Sequence, residues 1–595
     1  MEPLATARLA WRDGQPFASD YGDIYYSGDG IDEVERVFLT PAGLSRRNPV
    51  HISTSNRTSH FGLTVGELGF GTGLNFALCA QALTAQRQRL HFISFEAHPL
   101  SNEDWQRVAR QRADLPLLTE LATAPPPPLS GWHRRSFDAG RIILSLYHGE
   151  VLEGLGDLLA RSRVAVDAWL LDGFAPDRNP AMWRVEILRE VARLSRPGTT
   201  VATFTARGQV RRDLESVGFE MRRVDQRPHK RESLAGVFTA STDATGNRSA
   251  PQSTRHITVH GGGIGGAILA RQCAEAGIEV TLRDLPDPAN ELEYLVQHAR
   301  LLGDGTPMAA QRVSAFHYAT AYLAGFKGVV ASGSLQLTGA NLDAAKLDRI
   351  ARFYAADDPH QQSWIQRLEP AAASRLAGTE ISGEALYFPT SAVISTSALL
   401  ADLLTHPAIR VERLQTPQTT LAPGCNVLCT GTASRGFEDL DWLEVADVYG
   451  QLDRVEVSTQ LGLPVLGRGY FIPLETTQAI IGSSYEYRPW PAAQAYAHNL
   501  SSNEHLLSRV TRHIQHQRGR RCISSDRIPL VGRLGDDLYI ATAHGSMGTT
   551  SAPLAAAIIA SHLLGWVPPC SAAVENVMLP QRFIERQRRR GRRHR

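Results

Sequence analysis

The sequence predicts an α/β protein built from two nucleotide-binding units in tandem. Three observations predict it. An apolar strand, a glycine turn and a helix occur in that order twice, as "LTVGELGFGTGLNFAL" (63–78) and "HITVHGGGIGGAILARQ" (256–272). A polar stretch without a large apolar residue, "STDATGNRSAPQSTR" (241–255), lies just before the second and reads as a linker. At 595 residues the chain exceeds one compact core, so two large domains are expected.

The bulk numbers narrow the classes. Apolar content of 43% and charged content of 21% are those of a soluble globular protein. A net charge of +2 gives no global field for nucleic acid. The far C-terminus is different: "QRFIERQRRRGRRHR" (581–595) sets eight arginines against one glutamate, which predicts a solvated basic tail suited to phosphate contacts. Six scattered cysteines make neither a disulfide framework nor a ligand set, so no metal is expected. The N-terminal "MEPLATARLAWRDG" has no apolar core, and "APLAAAIIASHLLGW" from Ala552 is too short for a bilayer. The expectation is a cytoplasmic protein without a membrane segment, with a monomer favoured.

In the first turn, Gly69, Gly71 and Gly73 let the backbone bend sharply and approach a ligand. Glu67, the acid before them, would repel a diphosphate and welcome a cationic amino-acid moiety, which favours S-adenosylmethionine over NAD or FAD. The next strand, "LHFISFEAHPL", ends near Glu96, placed to accept two ribose hydroxyls. "RIILSLYHGEV" ends at Glu150, beside the expected adenine, and "VDAWLLDGFAPDRNPAMW" leaves its strand at Asp172. Carboxylates at ordinary strand ends, or a helix-capping role for Asp172, are the plainer alternatives. Asp172 is the expected catalytic group. Methyl transfer to nitrogen needs a neutral amine, and a carboxylate can orient that amine and take its proton. Phe174 stiffens the loop that follows, and Lys230 and Arg231 in "HKRESL" are either a solvated cluster or a phosphate grip.

The second turn has Gly261, Gly263 and Gly266 in G-x-G-x-x-G spacing, and Asp284 ends the following strand eighteen residues after Gly266. No acid precedes its first glycine, so a diphosphate can sit on the helix N-terminus.

The stretches "YGDIYYSGDGIDEVERVFL", "ELGFGTGLNF", "HFISFEAHPL", "DAWLLDGFAPDRNPAMW", "ATFTARGQVRRDLESVGFEMRRV" and "HKRE" resemble, in order, the methyltransferase half of the bifunctional tRNA 5-methylaminomethyl-2-thiouridine biosynthesis family. "VYGQLDRV", "GYFIPLETTQAIIGSSY", "GRRCISSDRIPLVG" and the closing "HGSMGTTSAPLAAAIIASHLLG" resemble its flavin half. The resemblance implies a class I, Rossmann-like methyltransferase over 1–240. After the linker it implies an FAD-binding Rossmann domain of the glycine oxidase and D-amino-acid oxidase type over 256–585, with an inserted α+β substrate subdomain. Residues 586–595 would be the basic tail. It further implies FAD and S-adenosyl-L-methionine as cofactors, the wobble uridine of a tRNA as partner, and Asp172 as the catalytic carboxylate. Asp23 and Tyr25 would line the substrate pocket, Gly548 would face the flavin, and Arg521 would pair the substrate carboxylate. A second clamping arginine of the family is Met547 here, and Arg520 or Arg468 is a possible substitute. The family's small-residue flavin turn is replaced by "ANELEY". The alternatives are a methyltransferase whose flavin half serves only as a tRNA-docking module, and a small-molecule amine N-methyltransferase fused to an oxidase.

Overall fold

The computed structural model describes residues 1–591 except 13, 27, 46–61, 87, 162–163, 229–231, 241–253, 287–291, 340–341, 459–460, 475–476 and 504–509. The chain forms two compact units. One comprises Pro3–Ser253 with Ser561–Ala572, the other Met1–Glu2, Thr254–Ala560 and Ala573–Arg595.

In the first unit a small antiparallel sheet, β1 (Leu9–Arg12), β2 (Gln15–Ala18) and β3 (Asp23–Ile24), precedes an eight-stranded sheet. The latter contains β4 (Leu63–Leu68), β5 (Leu90–Glu96), β6 (Gly131–Phe137), β7 (Ile142–His148), β8 (Ala168–Leu171), β9 (Thr200–Thr203), β10 (Phe219–Asp225) and β11 (Glu232–Phe238), in the order β10-β11-β9-β8-β4-β5-β7-β6. The five strands from β9 to β7 are parallel and the edges antiparallel. Parallel central strands are covered on both faces, which is why β4 is buried at every residue. The period of two divides the core: Phe92 and Leu170 join one cluster, Ile93, Trp169 and Leu171 the other. Ser561–Ala572 belongs here because Arg134 Nη2 donates to Ser561 Oγ at 2.9 Å and the Ala572 N–H donates to Asp157 Oδ1 at 2.8 Å.

The second unit is built on a six-stranded sheet: β12 (His256–His260), β13 (Glu279–Asp284), β14 (Ile409–Arg413), β15 (Cys425–Leu428), β16 (Leu530–Gly535) and β17 (Leu538–Thr542). Its order is β14-β13-β12-β15-β17-β16, parallel except for the last pair. Between these strands the chain inserts an eight-stranded sheet dominated by two long antiparallel strands, Val445–Val457 and Val510–Ser524, with Val448 opposite Arg521.

Two expectations are corrected. Residues 581–591 are not a free tail. Arg582–Arg589 is a helix, and Phe583 is fully buried against Leu428, Phe437, Leu530 and Ile540. Arg582 donates to both oxygens of Asp526 at 2.9 and 3.0 Å, and Arg586 reaches Asp526 at 2.6 Å and Glu444 at 3.1 Å. The aromatic at the second helical position and the arginines on one face fold the segment back; residues 592–595 lie outside the described residues. Second, the apolar run near the chain end belongs to a 20-residue span, Gly545–Leu564, long and apolar enough to cross a membrane, yet 83% of its apolar window is buried inside the protein. Burial in the core accounts for its composition.

Candidate functional sites

In the first unit the sheet reverses its winding between β4 and β8, and a crevice opens at the carboxyl ends of such a pair. Both turns of interest leave from there. Asp172 follows β8, and its N–H donates to the Leu68 carbonyl at 3.1 Å. Gly69 follows β4 with φ +91°, and a Cβ on it would lie 2.1 Å from the Asp172 carbonyl oxygen. Only glycine permits this approach. Asn75, in the first turn of α1 (Leu74–Ala85), donates through Nδ2 to Asp172 Oδ2 at 2.6 Å and to Glu67 Oε1 at 2.9 Å. Ser94 Oγ donates to Glu67 Oε2 at 2.6 Å.

Glu67 is therefore not the open acid that the sequence suggests. It points into the core, fully buried, and its oxygens are engaged by Asn75 and Ser94. Burial raises its pKa well above the ordinary carboxylate range, and neighbouring Asp172 raises it further. A β4 residue followed by alternating turn glycines faces whichever side the pleat dictates, which sequence alone does not give.

Glu96 Oε2 accepts the Gly71 N–H at 2.8 Å and Oε1 accepts the His98 N–H at 2.9 Å, so this acid is fastened to the glycine turn. Burial raises its pKa despite those two bonds. Glu150 is exposed at the end of β7, and its neighbour Gly149 donates to the Glu96 carbonyl at 2.9 Å. Above the crevice stands an aromatic wall. Tyr21 stacks on Phe174 with centroids 4.4 Å apart, and Tyr25 meets Phe174 edge-on at 5.3 Å. Asp23 Oδ2 accepts the Ala175 N–H at 3.5 Å, linking the N-terminal sheet to the loop after Asp172. Burial and Glu96 raise the pKa values of Tyr21 and Tyr25. Gly73 caps α1. Lys230 and Arg231 lie outside the described residues. Tyr21 and Asn75 were not anticipated; a polar residue in the otherwise apolar "LNFAL" was the available signal for the second.

In the second unit Gly261 leaves β12, and Gly263 caps α2 (Ile264–Glu275). A Cβ on Gly266 would lie 1.8 Å from the Gly261 carbonyl oxygen, so helix and turn touch there without a side chain between. Asp284 Oδ1 accepts the Gly262 N–H at 3.0 Å, and Oδ2 pairs with Arg413. His544 faces the same turn: its Nε2 would be 3.6 Å from a Cβ on Gly265, and that nitrogen is buried with no hydrogen-bond partner among the described residues. Desolvation lowers its pKa to about 4, so the ring is neutral near pH 7, and its Nδ1 is hydrogen-bonded to Ser551 Oγ at 2.9 Å. The glycine cradle and an orphaned nitrogen beside it fit a dinucleotide. In the first unit, the Gly69 cradle, Glu96 and the aromatic wall fit an adenosyl cofactor.

The clamp region is rearranged around Met547. Arg521 donates through Nη2 to Ser483 Oγ at 2.9 Å and through Nη1 to the Ser484 carbonyl at 3.2 Å, both neutral partners. A second guanidinium, Arg300, stands near it. Thr549 Oγ1 bonds the Val296 carbonyl at 3.3 Å and Thr550 Oγ1 the His298 carbonyl at 3.0 Å. These bonds lay residues 296–300 along the helix turn that starts at Gly548, next to Met547. Arg300 is exposed by surface area yet crowded by protein, as a cleft-lining residue is, and this desolvation lowers its pKa; Arg521 lowers it too. Among the described residues its guanidinium makes no hydrogen bond or ion pair. Arg520 lies on the opposite face of its strand from Arg521 and stands 3.7 Å from Asp447. Arg300 was missed because nothing in "HARLL" marks its tertiary neighbours.

Residues 116–239 match the family of S-adenosyl-L-methionine-dependent methyltransferases, and residues 256–562 match the FAD dependent oxidoreductases. A tRNA 5-methylaminomethyl-2-thiouridine biosynthesis bifunctional protein from Pseudomonas entomophila (strain L48) is 31% identical over 676 residues, covering 99% of each chain. Its counterpart from Marinobacter nauticus is 33% identical over 620 residues, covering 95% of this chain and 94% of the other. The chain belongs to this bifunctional family. Among solved structures, iminodiacetate oxidase from Chelativorans sp. BNC1 is 20% identical with a TM-score of 0.44, covering 52% of this chain and 96% of that one. The protein is thus an enzyme with an S-adenosylmethionine-dependent methyltransferase half and an FAD-dependent oxidoreductase half. S-adenosylmethionine supplies a methyl group and FAD accepts a hydride.

Proposed function

We propose that the protein finishes the side chain of a tRNA wobble uridine in two consecutive steps. The flavin half removes the carboxymethyl group of 5-carboxymethylaminomethyl(-2-thio)uridine: hydride leaves the carbon next to nitrogen, water hydrolyses the imine, and glyoxylate departs from an aminomethyl group. The methyltransferase half then converts that amine to 5-methylaminomethyl(-2-thio)uridine. It acts in the cytoplasm, as a monomer.

The observation that carries the reading is the pairing of Asp172 with Gly69 across the β4–β8 crevice, with Asn75 fixing Asp172 Oδ2. An alkylammonium must lose a proton before its nitrogen can attack a methyl group, and a carboxylate held beside the donor takes it. Phe174, Tyr21 and Tyr25 flank the uracil and keep water from the amine. In the flavin half Arg521 and Arg300 hold the substrate carboxylate, since planar guanidiniums bind both its oxygens. His544, neutral near pH 7, and the helix after Gly263 hold the dinucleotide.

Met547, in the family's other clamp position, favours a second reading in which the flavin half only docks tRNA. Incubating carboxymethylaminomethyl-tRNA without S-adenosylmethionine separates the two. Accumulation of the aminomethyl nucleoside, with bleaching of the flavin band, is the outcome expected. An unchanged nucleoside, together with normal methylation of aminomethyl-tRNA, would establish the second reading.

A further inference from the structure

The sequence "SYEYRPW" (484–490) alternates, and the structure shows what the alternation does. Glu486 points inward, fully buried. Its carboxylate accepts two bonds from Arg518 Nη1 at 2.9 and 2.8 Å, one from the Trp490 N–H at 2.7 Å, and one from Ser484 Oγ at 2.5 Å. Its backbone exchanges hydrogen bonds with Tyr449 at 2.8 and 2.9 Å. These bonds lower its pKa against the cost of burial. With Glu486 locked inward, Tyr485 and Tyr487 must face outward. They are 39% and 67% exposed, and Tyr487 is the most exposed large hydrophobic side chain among the described residues.

Such exposure is not slack packing, because a third residue fixes the pair. Arg527, at φ +65°, bonds the Tyr485 hydroxyl through Nη1 and the Tyr487 hydroxyl through Nη2 at 2.8 Å. A guanidinium bonded to two phenol oxygens sits at the ring edges and sets the ring planes, which meet at 79°. Tyr485 also lies 5.8 Å from the Arg521 guanidinium, so the cluster continues inward to the clamp. Outward it borders a groove of about 480 Å³ whose lining includes Arg435, Asp441, Trp442 and Glu444 as well as Tyr487 and Arg527. After Gln587, Arg588, Arg589 and Arg590 are exposed.

Rigid exposed aromatic faces, cations at their edges and arginines alongside match how proteins hold unstacked single-stranded nucleotides. We infer that Tyr485, Tyr487 and Arg527 form a platform on which a base of the tRNA anticodon loop stacks, flanking the modified base that reaches toward Arg521, while the exposed Arg588, Arg589 and Arg590 meet the phosphates. This rests on the reading of tRNA as substrate.

The test measures the affinity of the full-length, flavin-loaded protein for a labelled tRNA transcript with uridine at the wobble position, across a salt series. Wild type, Tyr487→Ala and Tyr487→Phe are compared, with flavin content as the check on folding. The expected result is roughly tenfold weaker binding for the alanine variant, the loss of one stacked base, with an unchanged salt slope and near-wild-type binding for phenylalanine. Alanine binding like wild type would overturn the platform while leaving tRNA as substrate. So would phenylalanine failing as alanine does, since that makes the hydroxyl bond to Arg527 the whole role. No tRNA binding by wild type would instead sink the substrate reading and the platform with it.

Discussion

One amide group of Asn75 holds two carboxyl groups at once, Asp172 at 2.6 Å and Glu67 at 2.9 Å. It thereby couples Asp172, the proposed acceptor of the amine proton, to the fully buried carboxyl of Glu67. Buried side-chain networks of this kind orient the reacting group, and small misplacements are costly in rate.

Replacing Asp172 by asparagine keeps a similar shape but removes the proton acceptor. Methyl transfer to aminomethyl-tRNA is expected to fall by about 10²–10⁴, while the flavin half still releases glyoxylate. Separate assays of the two half-reactions on one preparation check this; equal losses in both would show a folding defect rather than a catalytic one.

Asn75→Ala removes the Asn75 Nδ2 bond to Asp172 and leaves the carboxylate itself in place. A kcat for methylation reduced roughly ten- to a hundredfold, with a KM for S-adenosylmethionine changed little, is the expected pattern. A large rise in that KM alone would show that Asn75 serves the cofactor and not Asp172.

Glu67 gives a pH signature of stability. Its folded pKa is raised, by burial first and by Asp172 after that. The unfolded chain gives up the proton near the ordinary glutamate value of about 4.3, so the stability Glu67 contributes is complete below that pH. It is lost as pH rises toward and through the folded pKa. Glu67→Gln removes the titration and keeps partners for Asn75 and Ser94. Melting curves should therefore favour the variant progressively as pH rises above about 5; a constant difference across pH would refute the raised pKa.

Arg300→Met should raise the KM for carboxymethylaminomethyl-tRNA and lower kcat/KM of the oxidative step by roughly 10–100-fold, the loss of one charge-assisted contact. Methylation of aminomethyl-tRNA should be untouched, because that substrate has no carboxylate. Met547→Arg in the same background should restore part of the activity if the two positions share one role.

Phe583→Ala should destabilise the flavin half by about 3–5 kcal/mol, as truncating a buried aromatic does, measurable by denaturant unfolding followed through released flavin. Removing residues 581–595 would therefore damage the core instead of simply deleting phosphate contacts.

How much was legible beforehand depends on the range of the interaction. Two glycine turns, the acids at the ends of β5, β7 and β8, and the polar linker are local patterns of period two and of turn chemistry, so the sequence determined two nucleotide-binding units and the placing of Asp172. It did not determine which way Glu67 faces, because a strand's register against its neighbours decides that. Nor did it reveal that Arg300 lies beside Arg521, 221 positions later, or that Glu486 turns two tyrosines outward. An arginine-rich end reads as solvated until Phe583 finds Leu428 and Asp526 gathers two of the guanidiniums. Those outcomes were decided by tertiary structure, since burial and ion pairing depend on partners that are distant in the chain and adjacent only once the sheets have formed.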